Sequence, residues 1–188
     1  MKPIKTILLA SGLLTSFSLL AKETAECQNY EVFVMRHLPK EVSTELPVNK
    51  DPELSILGKE MAIQLSELSF MSKIDAAFST DYLRTKQSIN PSAKKYDFDV
   101  YIYDPSNNPL LVERVYKEYC GKSIMIIGHS NTVPSIVTSF GGHFEVTFAG
   151  QDLKQDTQVF LAENDYGAIF HIKNEQGNVH QRLITIAQ

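Results

Sequence analysis

Val32-Phe33-Val34-Met35-Arg36-His37 is the stretch that decides the fold. Four apolar residues, two of them β-branched, end abruptly in an arginine and a histidine. A short continuous apolar run is the pattern of a strand covered on both faces, the ordinary state of a strand in a parallel sheet. In open α/β sheets, ligands bind beyond the carboxyl ends of the strands. Arg36 and His37 are therefore expected to leave a dry strand at the edge where chemistry happens. A second run, Ile124-Met125-Ile126-Ile127-Gly128, repeats the design and ends in His129-Ser130-Asn131.

Between and beyond these strands the chain alternates. Leu38 to Pro52 is rich in proline, asparagine and aspartate and reads as a loop at the same edge. Ser55 is placed to cap a helix that carries Leu57, Met61, Leu65 and Leu68. Asp75 to Ser79 reads as a strand, and Thr80 or Asp81 as the cap of a helix that kinks or ends near Pro91. Val100 to Tyr103 is a third strand, Asp104 to Pro109 a turn-rich loop, and Leu111, Val115 and Tyr119 mark a helix stopped at Gly121. Thr132-Val133-Pro134 opens a last helix, ended by Gly141-Gly142. The C-terminal part changes period: 158–162, 168–173 and 179–186 alternate apolar and polar residues as antiparallel strands do. The fold class expected is α/β, a three-layer α/β/α domain with a mostly parallel central sheet and a C-terminal antiparallel meander.

The first 21 residues carry Lys2 and Lys5, then an apolar run from Ile7 to Leu20, then Ala21. That is the layout of a secretory signal, and the run is short for a membrane span. Cleavage after Ala21 leaves one domain over 22–188, with no stable membrane insertion and a periplasmic or secreted location. The net charge is −4, and more negative without the signal, which argues against general nucleic-acid binding. Export makes a disulfide between the two cysteines, Cys27 and Cys120, reasonable. Each precedes one of the histidine-bearing strands by a similar spacing, so both should lie at the opposite end of the sheet from His37 and His129.

Arg84 falls just after the second strand and also points to the carboxyl edge. Arg36, His37, Arg84 and His129 then meet there. Arginine offers permanently charged, forked donors that match phosphate oxygens. A helix beginning near Thr132 adds backbone donors, and a neutral imidazole can attack phosphorus. This set requires no cofactor and no metal, and His143, His171 and His180 lack the spacing of a metal site.

Arg36-His37, Ser79-Thr80-Asp81-Tyr82-Leu83-Arg84-Thr85 and Gly128-His129-Ser130-Asn131-Thr132 resemble the three signature stretches of the histidine phosphatase superfamily, the phosphoglycerate mutase-like proteins. The stretch from Asp51 to Gly58 resembles that family's entry into its first helix. The resemblance spans roughly Val32 to Phe140 and implies a small secreted member with a phosphorylated substrate. It implies that His37 is the nucleophile, that Arg36 and Arg84 clamp the phosphoryl oxygens, and that His129 donates to them. It extends to Lys40 and Asn131 as further phosphate contacts. The family usually has glycine after its first Arg-His pair, whereas Leu38 stands here. The family's carboxylic acid, which protonates the leaving group, has no motif; Asp104 at the end of the third strand is the first candidate, with Glu41 and Glu45 as others. The insertions that cover the pocket in larger relatives are missing, so the pocket should be open. The alternatives are a non-catalytic phosphate-binding protein on the same fold and a serine esterase. The esterase would use Ser130 in a near-match to the nucleophile elbow, with Asp156 and His171 as partners.

Overall fold

β1 (Asn29–Arg36) and β4 (Ser123–Gly128) pair in parallel at the middle of a six-stranded sheet. This computed structural model describes residues 27–42, 49–145, 147–148, 151–152 and 159–186. The expected signal segment, Glu45 and Asp156 lie outside the described residues. Outward from β4 come β2 (Ala76–Ser79) and β3 (Asp99–Ile102), both parallel to it. On the other side of β1 come β7 (Ala168–Glu175) and β8 (Asn178–Thr185), antiparallel. The order is β3-β2-β4-β1-β7-β8. A separate ribbon joins β5 (Thr147–Phe148) to β6 (Gln151–Asp152).

The pleat divides the apolar runs between two cores. Val32 and Val34 of β1, with Ile124 and Ile126 of β4, face α3 (Asn108–Glu118) and α4 (Val133–Ser139). Phe33, Met35, Met125 and Ile127 face the other way, onto α1 (Ile56–Glu67), α2 (Leu83–Tyr96) and a 3-10 turn over Ser69–Lys73. Successive strand residues point to opposite faces, so a strand covered on both sides must be apolar at every position. Helices on both faces make the three expected layers.

Ser55 caps α1 as read, accepting from the Gly58 amide. Asn107, read only as part of a turn-rich loop, accepts from the Leu110 amide at the start of α3. A Cβ on Gly58 would stand 2.0 Å from the Pro39 carbonyl oxygen. Only glycine lets α1 press against the segment leaving His37.

Three readings are corrected. Neither Thr80 nor Asp81 caps α2; its N-cap is Tyr82, without a side-chain bond, and Asp51 accepts from the Leu83 amide instead. Of the two outcomes expected near Pro91, an end is ruled out: the helix runs through it to Tyr96 and stops where Asp97 turns left-handed at φ 56°. Residues 159–162 form loop rather than strand, with Leu161 packed against the α3–α4 core.

Cys27 and Cys120 form a disulfide, Cα to Cα 5.6 Å, just before β1 and β4 respectively. It closes a loop across 93 residues of sequence. Chain-entropy arguments give such a loop about 4.6 kcal/mol of stabilisation, an upper figure for what such bridges deliver. Replacing both cysteines by serine is expected to lower the unfolding free energy by about 2–4 kcal/mol in urea titration. An unchanged midpoint would show the tether to be energetically idle.

Candidate active site

The carboxyl ends of β1, β2 and β4 deliver the site. The backbone amide of His37 donates to the Gly128 carbonyl at 2.9 Å, extending the β1–β4 ladder by one step. This brings the His37 and His129 rings to 5.5 Å, inclined at 65°. Arg84 enters from the first turn of α2, directly after β2. A cleft of about 490 Å³ opens there, lined by His37, Tyr82, Arg84, Pro105, Ser106 and the 129–132 segment.

His37 is almost wholly buried, and its Nδ1 lies 2.8 Å from the Leu38 carbonyl oxygen. A carbonyl only accepts, so Nδ1 carries the proton and Nε2 keeps its lone pair. Burial, reinforced by Arg36, His129 and Arg84, lowers the pKa of His37 to about 3; the bond to Leu38 opposes the fall. Burial and the two arginines lower that of His129 to about 4. Both imidazoles are neutral at pH 7.

His129 is oriented by a hydroxyl relay. Its Nε2 lies 2.9 Å from Thr80 Oγ1, which lies 3.0 Å from Thr85 Oγ1. Thr85 has one hydroxyl proton, and backbone carbonyls of Thr80 and Tyr82 are its acceptors. With the Thr85 proton on either carbonyl, Thr80 donates to Thr85 and accepts from His129, the arrangement in which His129 carries its proton on Nε2. The Tyr82 ring meets His129 edge-on at 5.2 Å and lies 4.3 Å below the Arg84 guanidinium.

The arginines are held but not satisfied. Arg84 Nη1 pairs loosely with Asp51 at 3.5 Å, and burial lowers the Arg84 pKa against the pull of Asp51. Its Nε and Nη1 are buried without hydrogen-bond partners, as is Arg36 Nε. Buried charged donors left unpaired are costly, and a polyanion is the ligand that would pair them.

The remaining candidates are placed as follows. Asn131 and Ser130 line the cleft. Lys40 is half-buried in a bridge with Leu54 and does not line it. Asp104 is exposed, its Oδ1 accepting from both the amide and the hydroxyl of Ser106, which lowers its pKa. That is a turn-former, the reverse of a carboxyl poised to give a proton. Glu41 is exposed. Among the described lining residues there is no carboxylate. His171 cannot serve Ser130: it is buried in β7 opposite Phe33, bonded to Glu31 at 2.7 Å, and accepts from Arg182 at 2.6 Å. The esterase reading thereby loses its base. Sequence reasoning missed the Thr80–Thr85 relay, the Tyr82 wall and the support of Arg36 by Ala162, Glu163 and Tyr166. Only the hydroxyl richness of 79–85 gave any hint.

No family profile and no curated protein matches this sequence. Solved structures do match. YhfR from Bacillus stearothermophilus aligns with a TM-score of 0.61 at 10% identity, covering 85% of this chain and 98% of that one. A mycobacterial glucosyl-3-phosphoglycerate phosphatase in complex with inorganic phosphate gives 0.55 at 10%, covering 84% and 97%. The Agrobacterium tumefaciens protein assigned as the phosphohistidine phosphatase SixA gives 0.55 at 14%, covering 84% and 97%. Likeness at these identities establishes the fold alone, a phosphoglycerate mutase-like α/β fold.

The depressed histidines set an acid limit. A histidine whose folded pKa lies below its unfolded value of about 6.5 stabilises the fold fully above that value. The contribution is lost as pH falls toward the folded pKa. In NMR titration, the ring signals of His37 and His129 are expected to stay at neutral positions from pH 8 to 5. Midpoints near 6.5 for the site pair would contradict the dry site described.

Proposed function

We propose that this chain is a histidine-type phosphatase that hydrolyses its substrate through a phosphohistidine on His37. One observation carries the reading. His37 is a neutral imidazole, pinned through Nδ1–H to the Leu38 carbonyl so that Nε2 is the nucleophilic atom, beside arginine donors that lack partners.

In this reading a phosphoryl group settles between Arg84, Arg36 and His129. His37 Nε2 attacks phosphorus in line; the P–N bond forms as the bond to the leaving group breaks. Water then attacks the phosphohistidine opposite Nε2, releasing phosphate and restoring the neutral ring. The arginines hold the equatorial oxygens, which is the main work of phosphoryl transfer. His129 offers its Nε2–H to one of those oxygens in competition with Thr80. Neither step uses a metal.

The leaving group must depart without help from a carboxylic acid on the described lining. This favours substrates whose leaving group is stable once released, such as a phosphoramidate, an anhydride or an activated phosphomonoester. We further assign the protein to the periplasm or the secreted fraction. The support is the signal-like leader together with a disulfide that joins the only two cysteines. No helix among the described residues is long and apolar enough to cross a membrane.

The test uses an aryl phosphate, quenched in base and analysed by mass spectrometry. A base-stable, acid-labile adduct on His37 is expected, with phosphate released on turnover. H37A should form no adduct, and R84A should lower kcat/KM by about 10²–10³-fold, as loss of a charge-stabilising donor does. A chelator should leave the rate unchanged. Phosphate binding by wild-type protein with neither adduct nor release would establish the non-catalytic binding reading instead.

A further inference from the structure

Arg36 stands on the β1 end, yet its side chain is governed from the other end of the chain. Its Nη1 donates to the carbonyls of Ala162 and Glu163, both at 2.9 Å. Its guanidinium carbon lies 4.4 Å from the centre of the Tyr166 ring, and Nη2 stands 3.4 Å from the Tyr166 hydroxyl. Nε is buried and has no hydrogen-bond partner.

The orientation matters because the five guanidinium N–H groups are not equivalent. Nη1 sits on the Cδ side, and both its protons are taken by the two carbonyls. Nε–H and one Nη2–H lie parallel along the opposite edge, the fork that pairs with two oxygens of a phosphoryl group. The contacts with Ala162 and Glu163 therefore consume the nitrogen that does not belong to the fork. Stacking on Tyr166 fixes the plane in which the fork lies.

The support is itself built to be firm. The Asp165 amide donates to the Ala162 carbonyl, and Asp165 Oδ2 accepts from the Ala162 amide, each at 3.0 Å. The Tyr166 amide donates to the Asn164 carbonyl at 2.9 Å. The Leu161 amide donates to the Ser130 carbonyl at 3.0 Å, fastening this turn to the segment after His129. Gly167, at φ +80°, then lets the chain enter β7.

We propose that Tyr166, on the turn formed by Ala162 to Tyr166, is a positioning residue that holds the Nε–Nη2 edge of Arg36 ready for the phosphoryl group. This rests on the phosphatase reading for its purpose, though the holding of Arg36 can be measured separately. The Tyr166 ring also stands 6.0 Å from that of His37, centroid to centroid, so the part of its effect that runs through Arg36 is what a mutant cycle isolates. Preorganisation of a forked donor raises affinity for the bound group without adding a contact.

The experiment is a double-mutant cycle on the whole mature chain, with Tyr166→Leu, Arg36→Ala and the pair. The readouts are the Kd for inorganic phosphate and kcat/KM for an aryl phosphate. Arg36→Ala is expected to weaken phosphate binding about a hundredfold and Tyr166→Leu about tenfold. The pair should match Arg36→Ala to within about twofold, because a residue acting through Arg36 has nothing left to do. Tyr166→Phe keeps the ring and should restore binding to near the wild-type value. Independent, multiplying losses would overturn the proposal, as would Tyr166→Phe behaving like Tyr166→Leu. If Tyr166→Leu lowers the unfolding midpoint, Tyr166→Met takes its place in the same cycle.

A third readout needs no turnover. The Arg36 Nε–H signal should be dispersed and slow to exchange in wild type and collapse toward the solvent-averaged position in Tyr166→Leu. An unchanged signal in the variant would overturn the positioning role. A normal signal in a wild-type protein that binds no phosphate would uphold the positioning role and sink the phosphatase reading.

Discussion

The parallel register of β1 against β4 is the constraint on which the rest depends. Arg36 lies opposite Gly128, and the His37 amide closes the next bond of the ladder onto the Gly128 carbonyl. That one alignment sets His37 beside His129. A slip of a single residue would turn every side chain of β1 to the other face. Val32 and Val34 would leave the core under α3 and α4, and Phe33 and Met35 the core under α1 and α2. Both faces are packed, so the slip is penalised twice. The disulfide fastens the same two strands at their other ends. The histidines thus owe their meeting to apolar packing along the whole length of the strands.

Packing also supplies the chemistry. The strands that position the histidines keep water away from them, and desolvation is the largest cause of both low pKa values. The nearby guanidinium charges add to the effect, while burial deprives some arginine N–H groups of partners. Neutral imidazoles and guanidinium N–H groups without hydrogen-bond partners are two results of one dry, positive environment. A dianion relieves that environment by pairing the donors and neutralising the repulsion between Arg36 and Arg84. The site therefore carries an electrostatic strain that, in the reading proposed, a bound phosphoryl group would remove.

Much of this was legible in the sequence, for identifiable reasons. Strands buried on both faces must be apolar throughout, so Val32–Met35 and Ile124–Ile127 announced themselves. Residues leaving such strands must lie at the carboxyl edge, which exposed Arg36, His37, Arg84 and His129 as a group. What failed were inferences that depend on distant partners. Asp104 sits at a strand end as an acid should, but Ser106 two residues on claims its carboxylate. The alternation in 158–162 is strand-like, yet Leu161 serves a loop that packs on the core. Asp51 caps α2 from a loop more than thirty residues upstream, so no local pattern could have replaced Thr80 or Asp81 with it. Tyr166 stands about 130 residues from Arg36, and nothing near it in sequence marks it.

The two arginines show how the site is distributed along the chain. Arg84 is steadied by Asp51, which also completes the start of α2. Arg36 is steadied by the turn leading into β7. One support precedes the first helix and the other follows the last, while His37 belongs to neither segment. The strands alone would bring the histidines together but would leave both guanidinium groups without orientation. Long cationic side chains lose much rotamer freedom on being fixed, and here loops absorb that loss before any ligand arrives. The sheet therefore determines where His37 Nε2 stands, and the loops determine which way the guanidinium groups of Arg36 and Arg84 point. These are separable properties of one fold, which explains why the place of His37 could be read from a short motif and the orientation of the arginines beside it could not.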